Sequence, residues 1–252
     1  MSVVSTFKLT LAYEGTDFIG WQRQATGRSV QASVEEALSR LEGGSVTVIG
    51  AGRTDAGVHA LGQVASVTVT HLIDAGALRR ALNAILAPDV RVVAIEAAPP
   101  DFNARYAARG KTYRYRIVCG DFISPFDRRF AWHVPHAMDE VRMAAAAERF
   151  EGRHDFAAFQ SAGSGVTTTV RSVAHSRLSC ADGECGARTL TYEVRGDGFL
   201  RHMVRAMVGT LVDVGAGRLV PGDVDRITES GDRQRAGPTA PAHGLFLVEV
   251  SY

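Results

Sequence analysis

Residues 50–64 read GAGRTDAGVHALGQV and set one carboxylate, Asp55, among four glycines, with Arg53 before it and His59 after it. Glycine permits tight turns and close backbone approach, so a charged trio in such company suits a loop that presents chemistry. A surface turn that merely links two strands would have the same composition. A dinucleotide fingerprint is excluded by spacing, because its third glycine would fall where Asp55 stands and HALGQVASVTV after the loop reads as a strand. A metal site built from Asp55 and His59 lacks a third ligand. A glycosidase would want a second carboxylate at a defined separation, and no paired acid suggests itself.

A second candidate lies in FLRHMVRAMVGTLVDVG (199–215), which reads as a strongly apolar helix interrupted by Arg205, with Arg201 one turn earlier on the same face. A buried guanidinium is costly unless an anion meets it in good geometry. Arginine also snorkels to the surface, which would make Arg205 a bystander. A helix arginine seeking a carboxylate and a loop carboxylate seeking a cation nevertheless suggest each other. Paired in this way, Asp55 would act as a nucleophile or base rather than a general acid.

Residues 102–118, FNARYAARGKTYRYRIV, carry Arg105, Arg109, Lys111, Arg114 and Arg116 without a single acid, interleaved with Tyr106, Tyr113 and Tyr115. Guanidinium groups bind phosphates and aromatic rings stack on bases, so the mixture suits a nucleic-acid groove, with Arg105 and Arg109 as backbone contacts. Strand tyrosines flanked by solvated arginines are the alternative.

The elements that must carry these residues follow from periodicity. In the first half, FKLTLAY (7–13) alternates as a strand, and Ser29 can cap a helix with Val30, Val34, Ala37, Leu38 and Leu41 on one face. Strands VTVIG (46–50) and QVASVTV (63–69) flank the glycine-rich loop, and a helix (77–86) and a strand (90–97) follow. The second half repeats the order: a strand at 111–118, a helix at 138–150, strands at 170–178 and 189–196, the apolar helix at 199–215 and a closing strand at 244–252. Residues 222–231 offer a further short helix, and 160–169 read as a surface loop. Two β-α-β-β-α-β units predict an α+β fold of two ferredoxin-like halves, 1–104 with the glycine-rich loop and 105–252, joined into one antiparallel sheet platform with a central cleft.

Composition sets the outer limits. The 252 residues suffice for one large or two small domains, and 46% hydrophobic with 22% charged residues is an ordinary globular balance. No apolar run approaches the ~20 residues of a membrane helix, and MSVVSTFKLT lacks the pattern of a secretory signal. These features predict a cytoplasmic protein. Its net charge of +1 gives no global sign of nucleic acid, although Lys8 and Lys111 are the only lysines and arginine supplies the other cations. Cys119, Cys180 and Cys185 form no zinc pattern and read as reduced, incidental thiols, with Cys180 and Cys185 the one conceivable pair.

GAGRTDAGVHALGQV and YEGTDFIGWQRQ (13–24), extended by FNARY, KTYRYRI, FEGRHDFAAF (150–159), GDGFLRHMVRAMVGTLVDVGAGR (196–218) and PAHGLFLVEVSY (241–252), resemble the bacterial tRNA pseudouridine synthase A family. The resemblance covers nearly the whole chain. It implies the two-lobed pseudouridine synthase fold, a homodimer, and neither cofactor nor metal. It further implies isomerisation of uridine to pseudouridine at positions 38 to 40 of the tRNA anticodon stem-loop. On that basis Asp55 in RTDAG matches the catalytic aspartate, and Tyr113 in KTYRYRI the tyrosine that packs against the target base. Arg205 in MVR matches the basic residue paired with the aspartate, and Arg53 the loop arginine associated with base flipping. Asn103 stands where many relatives have His.

Two other classes fit parts of the pattern. A non-catalytic RNA-binding module would use the same cationic, aromatic groove without needing Asp55. A nucleoside hydrolase would release free base, and a pocket dry enough to retain uracil opposes it.

Overall fold

The computed structural model of the chain describes residues 4–70, 73–163, 165–183 and 186–252. Its contacts divide into two compact units, residues 1–109 with 246–252, and residues 110–245.

In the first unit the elements run β1 (Ser5–Tyr13), α1 (Val30–Glu42), β2 (Val48–Gly50), β3 (His59–Val69), α2 (Ala75–Ile85) and β4 (Val90–Ala98). This is the expected β-α-β-β-α-β order. The sheet runs β4-β1-β3 with both pairings antiparallel, and β2 adds antiparallel to the far edge of β3. Alternation in β1 buries Phe7, Leu9, Leu11 and Tyr13 on one face, while Lys8, Thr10 and Ala12 stay half-buried on the other. Helix α1 starts where the sequence placed it, since Ser29 accepts a hydrogen bond from the Ala32 amide at 3.3 Å. Helix α2 begins two residues earlier than its apolar period implied, because Asp74 accepts from the amides of Gly76 and Ala77 and so fixes the start. Strand β3 is longer than expected and begins at His59, which shortens the loop carrying Asp55.

The closing strand β10 (Leu245–Ser251), read from the sequence as part of the second half, runs parallel to β3 with Phe246 opposite His59. The His59 and Phe246 rings stack with centroids 4.8 Å apart, the Arg109 amide donates to Ser251 O at 2.8 Å, and the Tyr252 hydroxyl donates to Ala104 O at 2.9 Å. These contacts, invisible to periodicity, group the last seven residues with the first unit.

The second unit holds β5 (Gly110–Cys119), β6 (Trp132–Val134), α3 (Glu140–Glu148), β7 (Gly152–Asp155), β8 (Val170–Asp182), β9 (Arg188–Gly196), α4 (Met203–Gly215) and α5 (Asp223–Ser230). Its antiparallel sheet runs β5-β9-β8-β7, with β6 parallel to β5. The short strands β6 and β7 are additions to the expected order. Helix α4 starts at Met203 rather than 199, because His202 adopts φ 60° and breaks the helical path. Arg201 therefore lies outside the helix, and the expected Arg201–Arg205 helical face does not exist. Gly209 lets the chain at 237–240 pass against α4, for a Cβ there would sit 1.7 Å from Pro238 O.

Candidate active site

The loop between β2 and β3 is clamped on one side and open on the other. Ala51, Thr54 and Val58 are buried, Asp55 is half-buried, and Arg53 and Ala56 are exposed. The buried side is held by the segment that follows β1. The Trp21 amide donates to Thr54 O at 3.0 Å, Gly20 forms an isolated bridge with Asp55, and the Tyr13 and Thr54 hydroxyls share a 2.8 Å hydrogen bond. Gly20 has φ 112°, and a Cβ there would lie 2.7 Å from Thr54 O, so no other residue fits without strain. Gln63 on β3, fully buried, donates from Nε2 to Gly52 O at 3.0 Å. The turn closes with Val58 N donating to Asp55 O at 3.1 Å.

His59 serves this scaffold. Its ring is buried and its Nδ1 accepts from the Gly15 amide at 3.0 Å. A structural histidine thus accounts for the spacing that resembles a metal pair. Among the described residues no three His, Cys, Asp or Glu side chains converge as metal ligands. Tyr13 and Gln63 escaped the sequence reading, although YEGTDFIGWQRQ flagged the segment. Burial pushes the Tyr13 phenol up to about 12, so it stays a neutral hydrogen-bonding group.

In the second unit, β5 separates its aromatic and basic residues onto opposite faces. Tyr113 and Tyr115 are buried, and Phe199 packs edge-on against Tyr113 with centroids 5.1 Å apart. The Tyr115 hydroxyl donates to Pro241 O at 2.7 Å. Burial raises its pKa far above the ordinary value, with the charge of Arg205 acting in the opposite direction. On the other face Arg114 pairs with Glu193 at 2.9 Å and Arg116 with Asp127 at 3.0 Å. The interleaving seen in sequence is therefore an alternation across a strand, not one mixed surface.

Arg205 is half-buried in the first turn of α4. Its Nε donates to Ala240 O at 2.7 Å, and its own carbonyl accepts from the Ala240 amide at 3.1 Å. Arg105 and Arg109 are exposed, and the Arg105 guanidinium sits 5.8 Å from the centre of the Tyr106 ring. Tyr106 is 80% exposed, which leaves that ring free to stack. Asn103 closes the turn beneath them, its Oδ1 accepting from the amides of Arg105 and Tyr106 at 3.0 and 3.2 Å. Cys119 is buried and Cys180 half-buried, and burial raises both thiols to about 11. Cys185, and with it the conceivable Cys180–Cys185 pair, lies outside the described residues.

A family model described as tRNA pseudouridine synthase matches residues 10–107 and 146–252. The chain belongs to the tRNA pseudouridine synthase A family. Relatives of that name confirm the match over full length. The protein from Acetivibrio thermocellus is 44% identical over 245 residues, covering 97% of this chain and 98% of its own. Those from Syntrophotalea carbinolica and Geobacter sulfurreducens are 45% and 46% identical, covering 99% and 98% of this chain and 97% and 99% of their own. Pseudouridine synthases of this family are isomerases. The matched segments include Arg53, Asp55, Arg105 and Arg205, whereas Arg109 and Tyr113 fall between them. No helix among the described residues is long and apolar enough to cross a membrane.

Proposed function

We propose that this chain isomerises uridine to pseudouridine in tRNA, at positions 38 to 40 of the anticodon stem-loop, with Asp55 as the reacting carboxylate and without cofactor or metal. The observation that carries the reading is the Asp55 loop in a chain of this family. Its buried side is pinned at Thr54 through two hydrogen bonds, so the neighbouring carboxylate is held on a rigid support.

Chemically, the bond from C1′ to N1 breaks and a bond from C1′ to C5 forms. N1 gains a proton and C5 loses one, so there is no net redox change and no hydrolysis. An ionised Asp55 serves this either by attacking C1′ or by taking the C2′ proton while the base turns over. Stacking in the stem hides the target, so the uridine must be turned out of the helix. Arg53, exposed on the loop, is assigned to that step. Tyr113 is assigned to the face of the flipped base and to removal of the C5 proton. Arg205 is assigned as the counter-ion of Asp55, and Arg105 and Arg109 as phosphate contacts. The working form is a cytoplasmic homodimer.

Pseudouridine formation leaves the mass of RNA unchanged, so the test is chemical mapping of pseudouridine on unmodified tRNA incubated with the protein. New sites at 38 to 40 support the reading. Intact tRNA without pseudouridine would favour an RNA-binding module, and release of free uracil would favour a hydrolase.

A further inference from the structure

Among the described residues His202 is the one non-glycine residue with positive φ, at φ 60° and ψ 6°, immediately before α4. Histidine tolerates this left-handed conformation better than most side chains, but glycine would adopt it without strain. The ring, however, makes a contact that glycine cannot. His202 Nδ1 and Ser161 Oγ share a 2.8 Å hydrogen bond. Two further bonds join the same segments, from Ser161 N to Arg201 O at 3.1 Å and from Arg201 Nη1 to Ala162 O at 3.1 Å. The turn is thus strained at one residue and stapled to a neighbouring loop through that residue's side chain.

Its neighbours give the turn a purpose. Three residues earlier stands Phe199, edge-on to Tyr113, and three residues later stands Arg205, held on Ala240 O. The direction of the chain at 202 therefore governs how the aromatic support of Tyr113 and the Arg205 cation are placed within this unit. We propose that His202 is a positioning residue for the isomerisation: its left-handed backbone orients the Phe199-to-Arg205 stretch, and its bond to Ser161 keeps that stretch in one geometry. The inference rests on the function proposed above and adds a residue to it.

The test compares His202→Gly, His202→Asn and Ser161→Ala by steady-state pseudouridine formation on a tRNA transcript, with thermal unfolding alongside. Glycine relieves strain as it removes the bond, so His202→Gly should unfold within a few degrees of the parent. Its kcat should nevertheless fall about tenfold or more with KM changed less than about threefold, as expected when preorganisation and not binding is lost. Asparagine tolerates the left-handed region and carries a hydrogen-bonding amide, so His202→Asn should recover kcat to within roughly threefold of the parent. Ser161→Ala leaves the backbone of residue 202 untouched and should show an intermediate loss, which keeps the idea testable if the glycine variant misfolds. A parent-like kcat in His202→Gly or Ser161→Ala, or an asparagine variant no better than glycine, would overturn the proposal. A parent protein that forms no pseudouridine would instead overturn the function on which it rests.

Discussion

Thr54 and Asp55 are sequence neighbours with opposite surroundings. Thr54 is buried and bound to Tyr13 and Trp21, whereas Asp55 is half-buried at the open side of the same loop. Removing the Thr54 hydroxyl strips the buried Tyr13 phenol of its short partner, which costs about 1–3 kcal/mol when a buried polar group is left poorly satisfied. Thr54→Val should lower stability by that amount in urea denaturation and should lower turnover as the loop loosens. An unchanged midpoint would show that the clamp contributes nothing. Arg205 was legible as an arginine out of place in an apolar run, and the structure adds the carbonyl of Ala240 as a partner. In its proposed role as counter-ion of Asp55, Arg205 is expected to matter more for turnover than for affinity. Arg205→Met should therefore cut kcat by roughly 100-fold or more with little change in tRNA affinity, and Arg205→Lys should fall between, keeping charge but not the planar fork. Lost affinity with preserved kcat would make Arg205 a phosphate contact instead.

Elements were legible where a local signal marked them. Ser29 fixed the start of α1 by a capping bond that its sequence position already implied. The start of α4 was not legible, because a left-handed histidine leaves no mark on hydrophobic period. Nor did composition reveal that Arg114 and Arg116 are ion-paired away from Tyr113 and Tyr115, although strand alternation separates them once the strand is assumed. The segment that supports the Asp55 loop is itself anchored to Asp89 at both of its ends. Arg28 Nη2 donates to Asp89 Oδ1 at 2.8 Å, and the Asp89 carbonyl accepts from the Glu14 amide at 3.0 Å. The Arg28 hydrogen bond holds the Asp89 carboxyl below its ordinary pKa. A carboxylate depressed in the folded state contributes stability above its unfolded pKa, and that contribution is lost as pH falls through the folded value. The pair is partly exposed, so Asp89→Asn should cost no more than about 1 kcal/mol near neutral pH. The difference between variant and parent should shrink as the pH drops below 4. A difference that persists undiminished at pH 2 would assign the effect to something other than the ion pair.

At the scale of the whole molecule, the repeated order of elements conveyed an α+β chain of two units, because each element signalled itself in its own residues. Nothing in LFLVEVS names the partner of the closing strand, so chain order alone groups it with the second half. Its grouping with the first unit depends on His59, Arg109 and Ala104, all distant in sequence. In the proposed function, affinity for tRNA is expected to come likewise from distributed charge. Arg105 and Arg109 are exposed, and the Arg105 guanidinium lies beside the exposed Tyr106 ring. Neutralising both should reduce the slope of log affinity against log salt by roughly 1–2, since each phosphate contact releases about one counterion. An unchanged slope would place the RNA elsewhere on the surface. The most direct measurement follows single-turnover pseudouridine formation on one tRNA by the parent and by Asp55→Asn, with tRNA affinity measured in parallel. Asparagine keeps the size of the side chain and removes its negative charge. The expected result is binding within a few-fold of the parent and no pseudouridine from the variant. Pseudouridine formed by Asp55→Asn at a rate near that of the parent would contradict the assignment of Asp55 as the reacting carboxylate.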